Sequence, residues 1–254
     1  MPATPRRTVL ITGCSAGGAG SALATTFASQ GLHVFATARN TSKMTQLSDI
    51  KNITLLHLDV EDPTSITAAV EAVREHTGGT LDYLVNNAGM SRVRPALDTD
   101  LEQARKVFEV NYWGVVSVTH AFAPMVIAAK GCFVNVSSLA GVVLAPWIAF
   151  YASSKAAVKA YSEALRLEMA PLGVKVITVM SGVVHTNIFV NNPEPDLPDD
   201  SMWKGAQKEV RYNAAGTAQS PMGVSPEEFA KGAVESVLGG SNGQVFKGGM
   251  AGFG

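Results

Sequence analysis

Apolar, β-branched runs recur along the chain at residues 8–12, 33–37, 54–58, 82–86, 132–136 and 175–180, with a short further candidate at 244–247. None alternates strictly between apolar and polar positions, so each predicts a strand covered on both faces. Longer segments with apolar residues at helical spacing lie between them, at 21–30, 63–76, 101–129 and 151–170. Strand and helix in regular succession predict an α/β fold: a single doubly wound, Rossmann-type parallel sheet with helices on both faces. No internal repeat and no internal boundary divides the chain, so one domain spanning 1–254 is expected. Periodicity fails over 187–225, a stretch rich in Pro, Asn, Asp, Gly and Ala. A segment of that length without element spacing predicts a substrate lid or mobile loop, against the plainer alternative of a surface insertion without function.

Composition narrows the classes. Apolar residues make up 46% of the 254, enough for a sizeable core, and the net charge of −1 offers no basic field to attract nucleic acid. The apolar runs are much shorter than the roughly 20 residues that span a bilayer, so no membrane span is expected. Cys14 and Cys132 are too few for a disulfide framework and predict plain packing. The histidines show no metal-ligand spacing, and no metal site is expected. The chain is expected to be cytoplasmic.

Three stretches carry candidate chemistry. The first is Val9-Leu-Ile-Thr12-Gly13-Cys-Ser15-Ala-Gly17-Gly18-Ala-Gly20, followed by a helix. A strand feeding a glycine-rich turn into a helix aims free backbone N–H groups and the positive end of the helix dipole at a pyrophosphate. Gly13, Ser15, Gly18 and Gly20 are the candidate contacts. The second closes the next strand, at Ala38-Arg39-Asn40. In a dinucleotide fold an acidic residue there suits NAD, whereas a cation suits the 2′-phosphate of NADP. No Asp or Glu occurs between Gly13 and Asp49, and Arg39 carries a fork of donors matched to phosphate. NADPH/NADP+ is the expected cofactor.

The third is Ser138, Tyr151 and Lys155. Tyr151 and Lys155, four apart, share one helix face, and Ser138 follows an adjacent strand. Reducing a carbonyl requires a proton donor for the developing alkoxide. A free phenol, with pKa near 10, needs about 3 units of lowering, or about 4 kcal/mol, to serve well near neutrality. A cation roughly 4 Å away supplies about that much at an effective dielectric near 20. Lys155, helped by the positive charge of an oxidised nicotinamide, is therefore expected to acidify Tyr151, with Ser138 stabilising the oxyanion.

Taken in order, these residues resemble the short-chain dehydrogenase/reductase family, from about Thr8 to Thr186. The matching elements are Thr12-Gly13-x4-Gly18-x-Gly20, Leu58-Asp59-Val60, Asn86-Asn87-Ala88-Gly89, Asn111, Asn135-Val-Ser-Ser138, Tyr151-x3-Lys155 and Gly182-x-Val184-x-Thr186. Within the family, the glycine turn and the phrase ending in Arg39 look similar to fungal 1-acyldihydroxyacetone-phosphate reductases and, more distantly, to 17β-hydroxysteroid dehydrogenases. The resemblance implies an NADPH-dependent carbonyl reductase. It implies that Asp59 contacts adenine, that Asn86, Asn87, Ala88 and Gly89 line the cofactor cleft, and that Val184 and Thr186 anchor the nicotinamide carboxamide. It implies that Asn111 holds a water linked to Lys155, and that Tyr151 and Lys155 also touch the cofactor. The implied substrate is a ketone on a lipophilic or bulky small molecule. Relatives pair through the helices at 101–129 and 151–170, which implies a homo-dimer or homo-tetramer, and some carry a further apolar C-terminal segment that would make the protein peripheral to a membrane. The alternative is a non-catalytic NADP-binding or regulatory module on the same fold. Ser138, Tyr151, Lys155 and Asn111 together argue against it, because binding alone does not need all four.

Overall fold

A computed structural model describes residues 6–189, 196–217 and 220–251. Seven strands, β1 (Thr8–Ile11), β2 (His33–Ala38), β3 (Ile53–His57), β4 (Tyr83–Asn86), β5 (Cys132–Ser138), β6 (Lys175–Ser181) and β7 (Gly243–Lys247), form one parallel sheet in the order β3-β2-β1-β4-β5-β6-β7. Helices α1 (Ala19–Ser29), α2 (Pro63–Thr77), α3 (Leu101–Phe108), α4 (Gly114–Ala128), α5 (Ala149–Met169), α6 (Gln207–Ala214) and α7 (Pro226–Leu238) complete the regular structure.

The continuous apolar runs have the physical cause expected of them. Along β1, Val9 and Ile11 face one layer while Leu10 faces the other, and all three are fully buried. On the first face, Leu23 and Phe27 of α1 and Phe229 and Val234 of α7 pack on Val34, Val85, Val134 and Ile177. On the second, Ile66 and Val70 of α2, Val118 and Phe122 of α4 and Leu165 of α5 pack on Phe35, Leu84, Phe133 and Val176. Each fully buried phenylalanine, such as Phe122 or Phe229, stabilises the fold by about 1.5–3 kcal/mol through burial alone.

Two expectations need correction. The segment 101–129 is not one helix: a π-helical turn, Glu109–Trp113, separates α3 from α4. One extra residue shifts the apolar spacing by a single position, and α3 buries only Ala104 and Val107, too few to set a phase against which periodicity registers the shift. The stretch 187–225 is not irregular throughout, because it contains α6. That helix buries only Val210 and Ala214, one pair four residues apart, which is too little to stand out as a period. Residues 190–195 and 218–219 of that stretch lie outside the described residues.

β1 has β2 on one side and β4 on the other, so the chain winds away in opposite directions from this point. In an open parallel sheet such a reversal leaves a crevice at the carboxyl ends of the strands. The candidate residues gather there.

Candidate active site

The glycine turn leaves β1 by a route that only glycine permits. Gly13 has φ +76°, and a Cβ on it would stand 2.9 Å from the Ala88 Cα. A Cβ on Gly20 would stand 2.3 Å from the Gly13 carbonyl oxygen. The turn is braced from β4: the N–H groups of Asn87 and Ala88 both donate to Thr12 Oγ1 at 3.0 Å, and Asn87 Nδ2 donates to the carbonyls of Thr12 (2.9 Å) and Gly13 (3.2 Å). Ser15 closes the turn through its carbonyl, which accepts from Gly18 N–H at 3.2 Å. Asp62, Asp100 and Ser225 cap α2, α3 and α7 with their side chains. By contrast α1 starts behind Gly18 with no side-chain cap and no acidic residue in its first turn. Uncapped N–H groups beside a cradle that any Cβ would fill fit a diphosphate.

At the far end of β2 stands Arg39, its side chain 66% exposed and 3.9 Å from Glu61. Asp59 follows β3, where its carboxylate accepts from Glu61 N–H at 3.1 Å. The pairing of Ala38 with His57 brings these two strand ends together. Arg39 and Asp59 thus lie on one rim.

The catalytic candidates converge from three elements. Ser138 ends β5, in register with Ser181 of β6, and its hydroxyl accepts from Ala140 N–H at 3.1 Å. Tyr151 and Lys155 lie one turn apart on α5, and Lys155 Nζ is 6.0 Å from the centre of the Tyr151 ring. The Ser138 side chain lies beside the Tyr151 phenol and opposes the effect of burial on it. Lys155 is buried, its Nζ donates to the Val136 carbonyl at 2.9 Å, and Ser137 Oγ donates to the Lys155 carbonyl at 2.7 Å, so β5 holds both ends of this residue. Asn111 sits in the π-helical turn. Its Oδ1 accepts from Met90 N–H (2.8 Å), while its Nδ2 donates to the Met90 carbonyl (2.9 Å) and to Ser154 Oγ (3.0 Å). A Cβ on Gly89 would stand 3.3 Å from Asn111 Oδ1 and 3.5 Å from Lys155 Nζ, so the end of β4 joins the cluster.

Burial dominates the electrostatics of this pair. In the protein alone, burial pushes the Tyr151 phenol above its ordinary value, and the Ser138 side chain only counters this. Burial also pulls Lys155 down to about 8. Both shifts are toward the neutral form because a charge in this cleft loses its water, although Lys155 still carries its proton near neutrality. The acidification expected of Lys155 is therefore not a property of the chain by itself. Burial likewise pushes the Cys14 thiol up to about 12, which leaves an inert packing residue behind the turn.

The remaining candidates follow β6. Gly182 passes the backbone of Gly249 closely: a Cβ would stand 1.9 Å from the Gly249 carbonyl oxygen. Val184 is buried and bridges to Val224, and Thr186 Oγ1 accepts from Ile188 N–H at 3.4 Å. The segment beyond is tied to the loop after β4. Ser201 Oγ donates to Asp98 at 2.5 Å, and Arg94 donates to the Asp196 carbonyl at 3.1 Å. Arg94 N–H also donates to the carbonyl of Trp147, a non-glycine residue held at φ +73° between Ser138 and Tyr151.

Sequence reasoning passed over several residues that hold the site in shape. Thr12 and Gly17 lay inside the quoted turn but were not singled out. Gly17 has φ +70°, and the Asn187 side chain packs against it while donating to the Ala16 carbonyl at 3.1 Å. Asn86, Asn135 and Ser162 form a buried chain, Asn86 Nδ2 to Asn135 Oδ1 at 2.8 Å and Asn135 Nδ2 to Ser162 Oγ at 2.9 Å, that pins α5 to the sheet. Ser154, directly before Lys155, had no signal of its own. Among the described residues no group of three or more His, Cys, Asp or Glu side chains is placed to hold a metal, and no helix is long and apolar enough to cross a membrane.

A family model described as short chain dehydrogenase matches residues 7–196. The chain is 49% identical over 248 residues to the short-chain dehydrogenase ptmH of Penicillium ochrochloron, covering 98% of this chain and 90% of the relative. It is 41% identical over 247 residues to an NADPH-dependent 1-acyldihydroxyacetone phosphate reductase of Schizosaccharomyces pombe, covering 95% and 82%. A solved short chain dehydrogenase from Burkholderia cenocepacia, in complex with NADP, superposes with a TM-score of 0.76 at 25% identity, covering 97% of this chain and 90% of that one. With the strand order, the glycine cradle and the Ser138–Tyr151–Lys155 cluster, these likenesses make the chain a member of the short-chain dehydrogenase/reductase family, an oxidoreductase built for a nicotinamide cofactor.

Proposed function

We propose that this protein is an NADPH-dependent carbonyl reductase that converts a ketone on a lipophilic or bulky small molecule to the alcohol, with Tyr151 as general acid. The observation that carries this reading is the meeting of a hydroxyl, a phenol and a buried ammonium at one point of the cleft: Ser138 lies beside the Tyr151 phenol, and Lys155 Nζ stands 6.0 Å from the Tyr151 ring. When bound, NADPH would supply the hydride. Ser138 donates a hydrogen bond to the ketone oxygen and stabilises the charge that grows there. Tyr151 gives its proton to the same oxygen as the alkoxide forms, and the Lys155 ammonium stabilises the phenolate left behind. Asn111 positions the turn after β4 and the start of α5 through Met90 and Ser154.

The preference for NADPH is supported by Arg39, by the lack of acidic residues between Gly13 and Asp49, and by the NADPH dependence of the Schizosaccharomyces pombe reductase and the NADP bound to the Burkholderia protein. Gly13, Ser15, Gly18 and Gly20 take the diphosphate, Asp59 the adenine side, Asn87, Ala88 and Gly89 the cleft wall, and Val184 and Thr186 the carboxamide. Residues 187–225 serve as the lid over the substrate, and the protein pairs through α4 and α5. The test is NADPH consumption against a panel of ketones beside the Tyr151→Phe variant. Turnover should fall by at least about 10²-fold while dinucleotide binding persists. Full turnover in that variant overturns the mechanism, and dinucleotide binding without turnover of any carbonyl by the parent protein favours the regulatory module instead.

A further inference from the structure

We infer that Glu61 and Lys106 set the preference for a 2′-phosphorylated dinucleotide by controlling whether Arg39 is free to meet the phosphate. The inference rests on the reading of Arg39 given above and deepens it.

Glu61 follows Asp59 by two residues in the turn from β3 into α2. Its backbone is fixed by the bond from its N–H to Asp59, and its side chain is only 17% exposed. Two cations approach its carboxylate from opposite elements. Lys106 of α3 holds Oε1 closely, at 2.7 Å, while Arg39 reaches Oε2 only at 3.9 Å. The carboxylate is therefore shared unequally: the lysine takes the strong contact, and the arginine stays at the outer limit of an ion pair, 66% exposed.

The inequality has a chemical consequence. A carboxylate at this rim is the feature that favours a ribose bearing free hydroxyls and repels a phosphate. Glu61 brings such a charge to the rim from the β3 side, although β2 itself carries none. Lys106 neutralises it. Without Lys106, the partly desolvated Glu61 would draw in the guanidinium of Arg39, whose planar fork pairs readily with a carboxylate. The residue meant for the phosphate would then be occupied, and Glu61 would add repulsion. Lys106 and Glu61 are thus positioning residues that act through Arg39.

Equilibrium binding of NADP+ and NAD+ to the full chain, followed by titration calorimetry, tests this with wild type, Lys106→Met, Glu61→Gln, the double variant and Arg39→Gln. Lys106→Met should weaken NADP+ about fivefold to tenfold and leave NAD+ within about twofold. Adding Glu61→Gln to Lys106→Met should restore NADP+ affinity, because the charge that captured Arg39 is gone. A merely structural role would shift both dinucleotides together and would not be rescued. If Lys106→Met leaves the NADP+/NAD+ ratio unchanged, or the double variant is not rescued, while Arg39→Gln collapses the ratio, this inference is overturned and the reading of Arg39 survives. If Arg39→Gln itself leaves the ratio unchanged, the reading of Arg39 falls and takes the inference with it.

Discussion

Asn111 grips the backbone of Met90 from both sides, accepting from its N–H at 2.8 Å and donating to its carbonyl at 2.9 Å. A side-chain amide has one acceptor and two donors in fixed geometry, so it meets a peptide unit much as a neighbouring strand would. The second donor reaches Ser154, which ties the turn after β4 to the start of α5.

Replacing Asn111 by Ala leaves the Met90 N–H and carbonyl without this partner in a buried setting. A cost of about 2–4 kcal/mol in unfolding free energy is expected, from two unmet groups at about 1–3 kcal/mol each with some relaxation. Urea unfolding measures it directly. A loss below about 0.5 kcal/mol would mean that water or a shifted backbone replaces both bonds.

Gly20→Ala brings a methyl group to 2.3 Å from the Gly13 carbonyl and 2.6 Å from Asn87 Nδ2. Neither neighbour yields easily, since the first is backbone and the second is bonded to Thr12 and Gly13. The turn must open, and dinucleotide affinity is expected to drop at least about tenfold, with melting lowered by a few degrees. Fluorescence titration together with thermal melting checks both parts, and unchanged affinity would refute the cradle.

Lys155→Met should abolish turnover and yet stabilise the fold at neutral pH. Burial lowers Lys155 to about 8, below its ordinary 10.5, so between those values the unfolded chain binds more protons than the folded one. Stability then rises with pH across that window, and below about 8 the charged lysine exerts its full penalty. Removing it should add about 1–3 kcal/mol at pH 7, an advantage that fades towards pH 10. Denaturation at the two pH values decides the matter. A less stable variant at pH 7 would mean that the bond from Nζ to the Val136 carbonyl outweighs the desolvation.

His33 predicts the opposite edge of the stability profile. Burial lowers its pKa below the ordinary 6.5, and the stacked His76 ring, 4.2 Å away, and Arg6 lower it further. The unfolded chain therefore takes up a proton first as pH falls. The contribution is complete above about 6.5 and is lost below it. Melting temperature should decline from pH 6.5 to 5, and His76→Phe should make the decline shallower. Parallel melting curves across pH 5–8 would expose an unaltered slope, which would remove His76 from the account.

The sheet was legible because burial on both faces leaves a plain signature: Val9, Leu10 and Ile11 need no polar partner, and the runs around β2, β4, β5 and β6 repeat the pattern. Tyr151 and Lys155 were legible as a pair because helical spacing alone puts them on one face. Other features depend on contacts that no local pattern announces. Glu61 and Lys106 come from separate elements, Asn187 meets Gly17 across the turn, and the single buried pair of α6 is too sparse to repeat. The effect of burial on Tyr151 was not legible for a related reason: spacing reveals the neighbouring cation but not the lost water, which raises the phenol in the protein alone.

The π-helical turn at Glu109–Trp113 makes the protein sensitive to chain length as well as to side-chain identity at that point. One surplus residue rotates everything after it by about 100° relative to an unbroken helix. Deleting a single position would let α3 and α4 fuse into a regular rod and swing Asn111 off Met90. Trimming this helix, even where its surface is featureless, would dismantle the cleft from behind.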